Sequence, residues 1–416
     1  MAQGSGSGWV QRSVRRVRRD LLEIPAPVWV LVIGTLVNWL GRFVVVYLTL
    51  YLTTQGYSPA EAGLAVAGYG VGNIAAAAIG GFLADRIGRR RTIVLSMTTS
   101  AGAMLALSQA RGLWSVVVWA GAAGLTSEMF RAPSGALIAD VVPRDHLVTG
   151  FAVNRLAMNL GAAIGPVIGA FIAQRSFFAL FVGDALSSLA FAALALALLP
   201  ADAHPRRVPA GSVFENYRSM LADRRFLAFL GASLLGALIY RQAYTTLSLH
   251  VRDAGLPIGV YGWLLALNAV MVILFELPLT TVTRSWRSHR VIAAGLLLVG
   301  TGFALNTVAS TTGALVASVI VWSAGEIIYA PQASALWVKF APDDARGQYA
   351  SAYSFTWALA WVFAGTVGGA LFAHDPNALW IACGLAGLAA MALALAGQPR
   401  RGRTEPSISL LKELDR

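Results

Sequence analysis

Long apolar runs alternate with short polar segments along this chain from residue 27 to residue 397. The runs fall at 27–54, 61–84, 92–110, 113–139, 150–173 and 177–199, then at 226–250, 259–283, 291–309, 312–338, 348–373 and 377–397. About 20 apolar residues carry a helix across a bilayer, so the pattern predicts an all-α membrane protein of twelve transmembrane helices. A segment rich in proline, arginine and polar residues, 200–225, separates two sets of six, 27–199 and 226–397. A basic N-terminal segment, 1–26, and a tail, 398–416, flank them.

Composition agrees with that reading. The 416 residues are 57% hydrophobic and 12% charged, against roughly 25% charged in a soluble domain, which leaves lipid as the medium around the chain. The formal charge of +12 is almost all arginine, since Lys339 and Lys412 are the only lysines. Its placement is informative. Even-numbered loops carry Arg86, Arg89, Arg90 and Arg91, then Arg144, then Arg206, Arg207, Arg218, Arg224 and Arg225. The later ones carry Arg284, Arg287 and Arg290, then Lys339 and Arg346, whereas odd-numbered loops hold little beyond Arg111, Arg175 and Arg252. Basic loops stay in the cytoplasm, so both termini are expected there, with Arg12, Arg15, Arg16, Arg18 and Arg19 as a membrane-surface anchor rather than a signal sequence. Arginine over lysine, with abundant alanine and glycine, points to a GC-rich bacterium and thus to the inner membrane. Charge lying between apolar runs, without stacking aromatics on a polar face, argues against nucleic acid.

Catalytic chemistry has no foothold in the pattern. Cys383 is alone, which excludes an intrachain disulfide framework. His146, His204, His250, His289 and His374 are scattered over span ends, loops and the linker. Neither a metal nor a nucleophile constellation is expected, and no cofactor beyond transported protons.

The two sets of six repeat with an offset near 199 residues. Gly56 and Gly63 match Gly255 and Gly262; Glu128 and Pro133 match Glu326 and Pro331; Gly165 and Gly169 match Gly365 and Gly369. Parallel repeats of this kind place a central site between the halves near the bilayer midplane.

Gly72, Gly81, Asp85, Arg86, Gly88, Arg89 and Arg90 run from the second span into the loop after it. Their spacing resembles the loop signature of the major facilitator superfamily, and Thr283-Arg284-Ser285-Trp286-Arg287 is a degraded second copy. A phosphate-binding glycine loop is excluded, because no strand precedes these residues and no lysine follows. The resemblance implies two pseudo-symmetric six-helix bundles, alternating access, a small-molecule substrate and a monomer. It also implies a conformational latch. Asp85 would meet the start of the eleventh span near Gly347–Tyr349, and Arg89 would pair with Asp140 at the foot of the fourth, holding the outward-facing state. In the fifth span, Gly161, Gly165, Pro166 and Gly169 are similar to the proline-glycine helix of antiporters in that superfamily. One departure stands out: the arginine that drug antiporters of the superfamily often carry in mid fourth span is replaced here by Val117 or Ala120.

Charges inside a span cost about 2.5–3.5 kcal/mol each on insertion scales and need a reason. Glu326, Glu128 and Glu276 are therefore candidate proton carriers. Glu326 is the strongest, because no basic residue lies within a turn of it, whereas Arg131 follows Glu128 on the same face. Arg42 and Arg241 occupy equivalent positions in the two halves, on helices that line the cavity in the resembled fold. Two readings remain open for them: binding an anionic group, or forming ion pairs with Glu128 and Glu326. Asn38, Arg131, Tyr240, Tyr244, Trp322, Tyr329, Trp357 and Trp361 complete the expected cavity wall, aromatic faces suited to flat amphipathic ligands. Asp184 is expected to make a helix-end polar contact. The expected function is proton-coupled export of small amphipathic, drug-like or secondary-metabolite molecules. A proton-coupled nutrient importer and a lipid flippase are the alternatives.

Overall fold

The structure is a computed structural model that describes residues 23–143, 147–200, 220, 222–283, 286–341 and 346–397. Most of the linker at 200–225, and both termini, lie outside the described residues. Every predicted span is helical. Among the described residues, eleven helices are long and apolar enough to cross a membrane. The twelfth, the third span Arg89–Gln109, falls short because it carries three arginines and six hydroxyl side chains. Most of those hydroxyls are satisfied by backbone carbonyls. Thr98 and Thr99 donate to carbonyls one turn back, and Ser96 donates to the Thr126 carbonyl of the fourth span at 2.6 Å.

Several spans are interrupted where the sequence reads as continuous. The first is two helices, Ala26–Leu40 and Phe43–Thr54, broken at Gly41 and Arg42. Asp184, on the sixth span Phe177–Leu198, accepts from the backbone N–H of Val44 at 3.3 Å. The helix-end contact expected of Asp184 is thus a cap on a helix start created inside the bundle, where a freed backbone N–H needs an acceptor. The fourth span is Leu113–Glu128 followed by Arg131–Val141, so Glu128 ends one piece and Arg131 begins the next. The eleventh runs Arg346–Phe363, passes through a π-helical turn at Ala364–Gly368 and resumes as Gly369–His374.

The two halves meet along two seams. The second span, Pro59–Ile87, packs on the eleventh, and the fifth, Leu147–Ala173, packs on the eighth, Ile258–Thr283. At the arginine-poor end both seams close backbone to backbone. A Cβ on Gly63 would fall 2.0 Å from the Gly365 carbonyl oxygen, and one on Gly262 would fall 2.9 Å from both the Pro166 oxygen and the Ala170 Cβ. The Tyr47 hydroxyl donates to the Pro166 carbonyl at 2.6 Å, and the Tyr261 hydroxyl reaches the Val46 carbonyl of the other half at 3.1 Å. Toward the arginine-rich end the second–eleventh seam loosens: Gly81 has no described neighbour within reach of a Cβ, and Asp85 is exposed. The molecule is therefore shut at its arginine-poor end.

Valine at Gly63 tests that closure. Its side chain meets main chain rather than a flexible neighbour, so it fits only if the halves part. Gly63→Val should shift the population away from this state. The check is a lengthened distance between labels at Gln55 and His374, both exposed at the closed end, after replacement of Cys383. An unchanged distance in an inserted protein would contradict it.

Candidate functional site

The break in the first span turns the Arg42 side chain into the bundle. Its guanidinium forms an ion pair with Glu128 Oε1 and donates to the Tyr69 hydroxyl at 2.6 Å. Arg131 Nε takes the other carboxylate oxygen of Glu128 at 2.6 Å. Tyr69 also lies 3.0 Å from Ser127 Oγ, and both guanidiniums face the Trp39 ring. Glu128 is thus clamped between two cations.

The second half does not copy this arrangement. Arg241 and Glu326 occupy the positions equivalent to Arg42 and Glu128, yet they form no ion pair. Glu326 Oε2 instead accepts from Asn268 Nδ2 of the eighth span at 2.7 Å, and Asn268 also reaches Ser323 Oγ at 3.0 Å. The Tyr240 hydroxyl is a second polar neighbour of that carboxyl. Arg241 sits against two indole rings, 4.1 Å from the Trp361 centroid and 5.5 Å from that of Trp357. Trp361 in turn packs edge-on to Tyr69 of the first half at 5.9 Å and lies 6.1 Å from Tyr244. Tyr240 contacts Trp357 at 6.1 Å, and the Tyr240 and Tyr244 hydroxyls are 3.5 Å apart. One continuous array therefore crosses from Glu128 to Glu326.

Three expected cavity residues are placed elsewhere. Asn38 is buried and donates to Ser188 Oγ of the sixth span at 3.3 Å, because the turn of helix before the Gly41 break faces that neighbour. Trp322 is buried in the second half, stacked on Phe303 at 5.3 Å, and only its edge meets Tyr240. Tyr329 is buried against Gly295 of the ninth span. The one-turn spacing that put Trp322 and Tyr329 beside Glu326 in sequence puts them behind it in space.

Glu276 is paired. Arg155 of the fifth span reaches its Oε1 at 2.8 Å, tying the two halves on the arginine-rich side of the array. Arg155 and Asn268 did not stand out in the sequence reading. A lone arginine in the 150–173 run and a lone asparagine in the 259–283 run were the available signals. Tyr69 and Trp39 carried none.

The loop motif is built as its residue types require. Gly88 starts the third span at φ +96°, a conformation favouring glycine. Arg89 pairs with Asp140 as expected and donates to the Ala136 carbonyl at 2.9 Å. The pair lies within the first half and is formed with the arginine-poor end shut, so it is not confined to the outward-facing state it was expected to hold. Arg90 donates to the Leu196 carbonyl of the sixth span. Arg86 lies over the Phe82 ring at 5.8 Å. Gly72 packs on Gly121 of the fourth span, whereas Gly81 makes no close approach in this state. Asp85 has no hydrogen bond or ion pair with a described residue. Of its expected partners at Gly347–Tyr349, the side-chain surroundings of positions 347 and 348 lie outside the described residues. Tyr349 packs on Phe226 at 4.5 Å. In the fifth span, Gly161 and Gly165 seat Trp39 and Leu40, and Gly169 seats Phe43 and Tyr47, so this helix grips the first span on both sides of its break.

Comparison with known proteins agrees across the chain. The Major Facilitator Superfamily pattern matches residues 31–261 and 246–413. An uncharacterised MFS-type transporter of Bacillus subtilis is 26% identical over 339 residues, covering 79% of this chain and 82% of the relative. The multidrug resistance protein MdtH of Escherichia coli is 26% identical, covering 78% and 82%. A Na(+), Li(+), K(+)/H(+) antiporter of Planococcus maritimus is 25% identical, covering 69% and 76%. Among solved structures, a POT family transporter in complex with 5-aminolevulinic acid superposes with a TM-score of 0.77 at 15% identity, covering 90% and 96%. A D-xylose-proton symporter superposes at 0.73 and 17% identity, covering 91% and 99%. At those identities the structures speak for the fold alone.

Proposed function

The chain belongs to the Major Facilitator Superfamily and is a membrane transporter rather than an enzyme; from that premise we propose that it exports small amphipathic molecules in exchange for protons. The observation that carries this reading is the unequal treatment of the three candidate carboxylates. Glu128 is held by two arginines and Glu276 by Arg155, whereas Glu326 meets only neutral hydrogen-bond partners. A carboxyl with neutral partners can load and release a proton without breaking an ion pair, and Glu326 does so beside the aromatic wall where cargo would sit. Export, rather than import, is supported by the distant relatives named for drug resistance and cation/proton antiport, and by the glycine-proline helix of the fifth span.

With the arginine-rich end in the cytoplasm of a bacterial inner membrane, the closed arginine-poor end makes this the inward-facing state. Protonation of Glu326 from outside and cargo binding from inside would then alternate. Asp85, which has no partner among the described residues here, acts in the opposite state, when the arginine-rich end closes. Asp85→Asn should therefore insert normally and reduce transport at least about tenfold, the loss of one charged contact at a helix start. Wild-type export by that variant would remove Asp85 from the cycle. The proposal as a whole is tested in everted vesicles: cargo accumulation driven by an imposed proton gradient, with substrate-dependent proton release, supports it. Uptake into intact cells driven by the same gradient would mean import.

A further inference from the structure

We infer that the cargo is an amphipathic organic anion and that Arg241 is the residue that binds its negative group. This rests on the export reading and goes beyond it. The Arg241 guanidinium makes no hydrogen bond and no ion pair with any described residue, and its Nε is sealed from solvent without an acceptor. An unpaired cation inside a bundle is costly. The two indole faces of Trp357 and Trp361 offset part of that cost and fix the group's orientation, but they accept no conventional hydrogen bond. The equivalent cation in the other half, Arg42, has its carboxylate. The repeat thus had a carboxylate available at Glu326 for Arg241, and the fold directs that side chain to Asn268 instead.

The charge inventory of the array points the same way. Arg42, Arg131 and Arg241 face Glu128, Asp184 and Glu326, so the site is never net negative and carries an excess of positive charge whenever Asp184 or Glu326 is protonated. Such a site does not gather the lipophilic cations that an acidic cavity would. The acceptor that completes Arg241 is a carboxylate, sulfonate or phosphate group, and the flat apolar part attached to it rests on Trp357, Trp361 and Tyr244. Exchange of a proton inward for an anion outward moves two positive charges inward per cycle, so an inside-negative potential drives it.

The test uses three probes of one shape: naphthalene-1-carboxylate, its neutral carboxamide, and 1-naphthylmethylammonium. Binding to the purified protein in phosphatidylcholine nanodiscs is read by quenching of tryptophan fluorescence. The carboxylate should quench saturably and the other two at least about tenfold more weakly, the usual margin for one charged hydrogen bond. Arg241→Gln should weaken the carboxylate about tenfold to a hundredfold, and Arg241→Lys should retain part of the affinity, which separates lost charge from misfolding. Competition by added phosphatidylglycerol would assign the anion site to a lipid headgroup; its absence assigns the site to a soluble anion. Preference for the ammonium probe, or unchanged carboxylate binding in Arg241→Gln, overturns the inference. The export reading fails separately, if Arg241-dependent binding is present but neither a proton gradient nor a potential moves the carboxylate in everted vesicles.

Discussion

Glu326→Gln should abolish proton-driven accumulation of cargo while leaving cargo binding intact. Glutamine keeps the size of the side chain and can still hydrogen-bond to Asn268, so the eighth and tenth spans stay joined at that point. What it loses is the proton. One charge moved through 100 mV is worth about 2.3 kcal/mol, and one coupled proton therefore supports a gradient of roughly fiftyfold. In everted vesicles energised to that potential, the variant should lose the proton's roughly fiftyfold share of the accumulation, keep at most what the cargo's own charge supports, and still exchange labelled for unlabelled cargo. Glu276→Gln, which breaks a half-exposed pair with Arg155, should keep accumulation. If Glu326→Gln still concentrates cargo and Glu276→Gln or Glu128→Gln does not, the carrier is that other carboxylate.

Glu128→Gln should instead be a stability variant. The Arg42 side chain is 13% exposed and Glu128 5%, so neutralising the carboxylate strands a buried cation, an effect of about 3–5 kcal/mol. Arg131 is 48% exposed and loses little, because water takes over its solvation. Arg42→Gln should cost less than Glu128→Gln, since Glu128 keeps Arg131 as a partner. The double variant, with two neutral groups of similar shape, should recover most of the loss. Unfolding midpoints of the four proteins in mixed micelles close the cycle, with a coupling of about 2 kcal/mol or more expected between the two positions. Additive losses would mean that the pair does not hold the first span to the fourth.

The same two residue types thus serve different ends in the two halves, and the pattern along the chain could not reveal it. Arg42 and Arg241 repeat with nearly the same offset as Glu128 and Glu326, and two pairings or two binding groups were equally open. The choice depends on Asn268, which lies on a different helix and 58 residues from Glu326 in sequence. It depends equally on the indoles of the eleventh span. Asn38, Trp322 and Tyr329 were misplaced for a related reason. Helical spacing says which residues share a face, but not whether that face meets the cavity or a neighbouring helix.

Spans, repeat and loop motif were legible because lipid imposes its demand residue by residue. Every backbone polar group in a span must be satisfied within its own helix, so apolar length alone locates the helices. Arginine was placed by the same local rule. The exception, the third span, is polar enough to escape a hydropathy criterion and is held by hydroxyl–carbonyl bonds within and between helices. Breaks inside spans were not legible, since Gly41 and Glu128 resemble any other glycine or acid until a neighbour such as Asp184 is present to cap the freed backbone. Nor was the closed end. Gly63 and Gly365 mark a helix face that tolerates close approach, but contact between them is a property of two halves that can also part, and only their packing in three dimensions fixes which state is occupied.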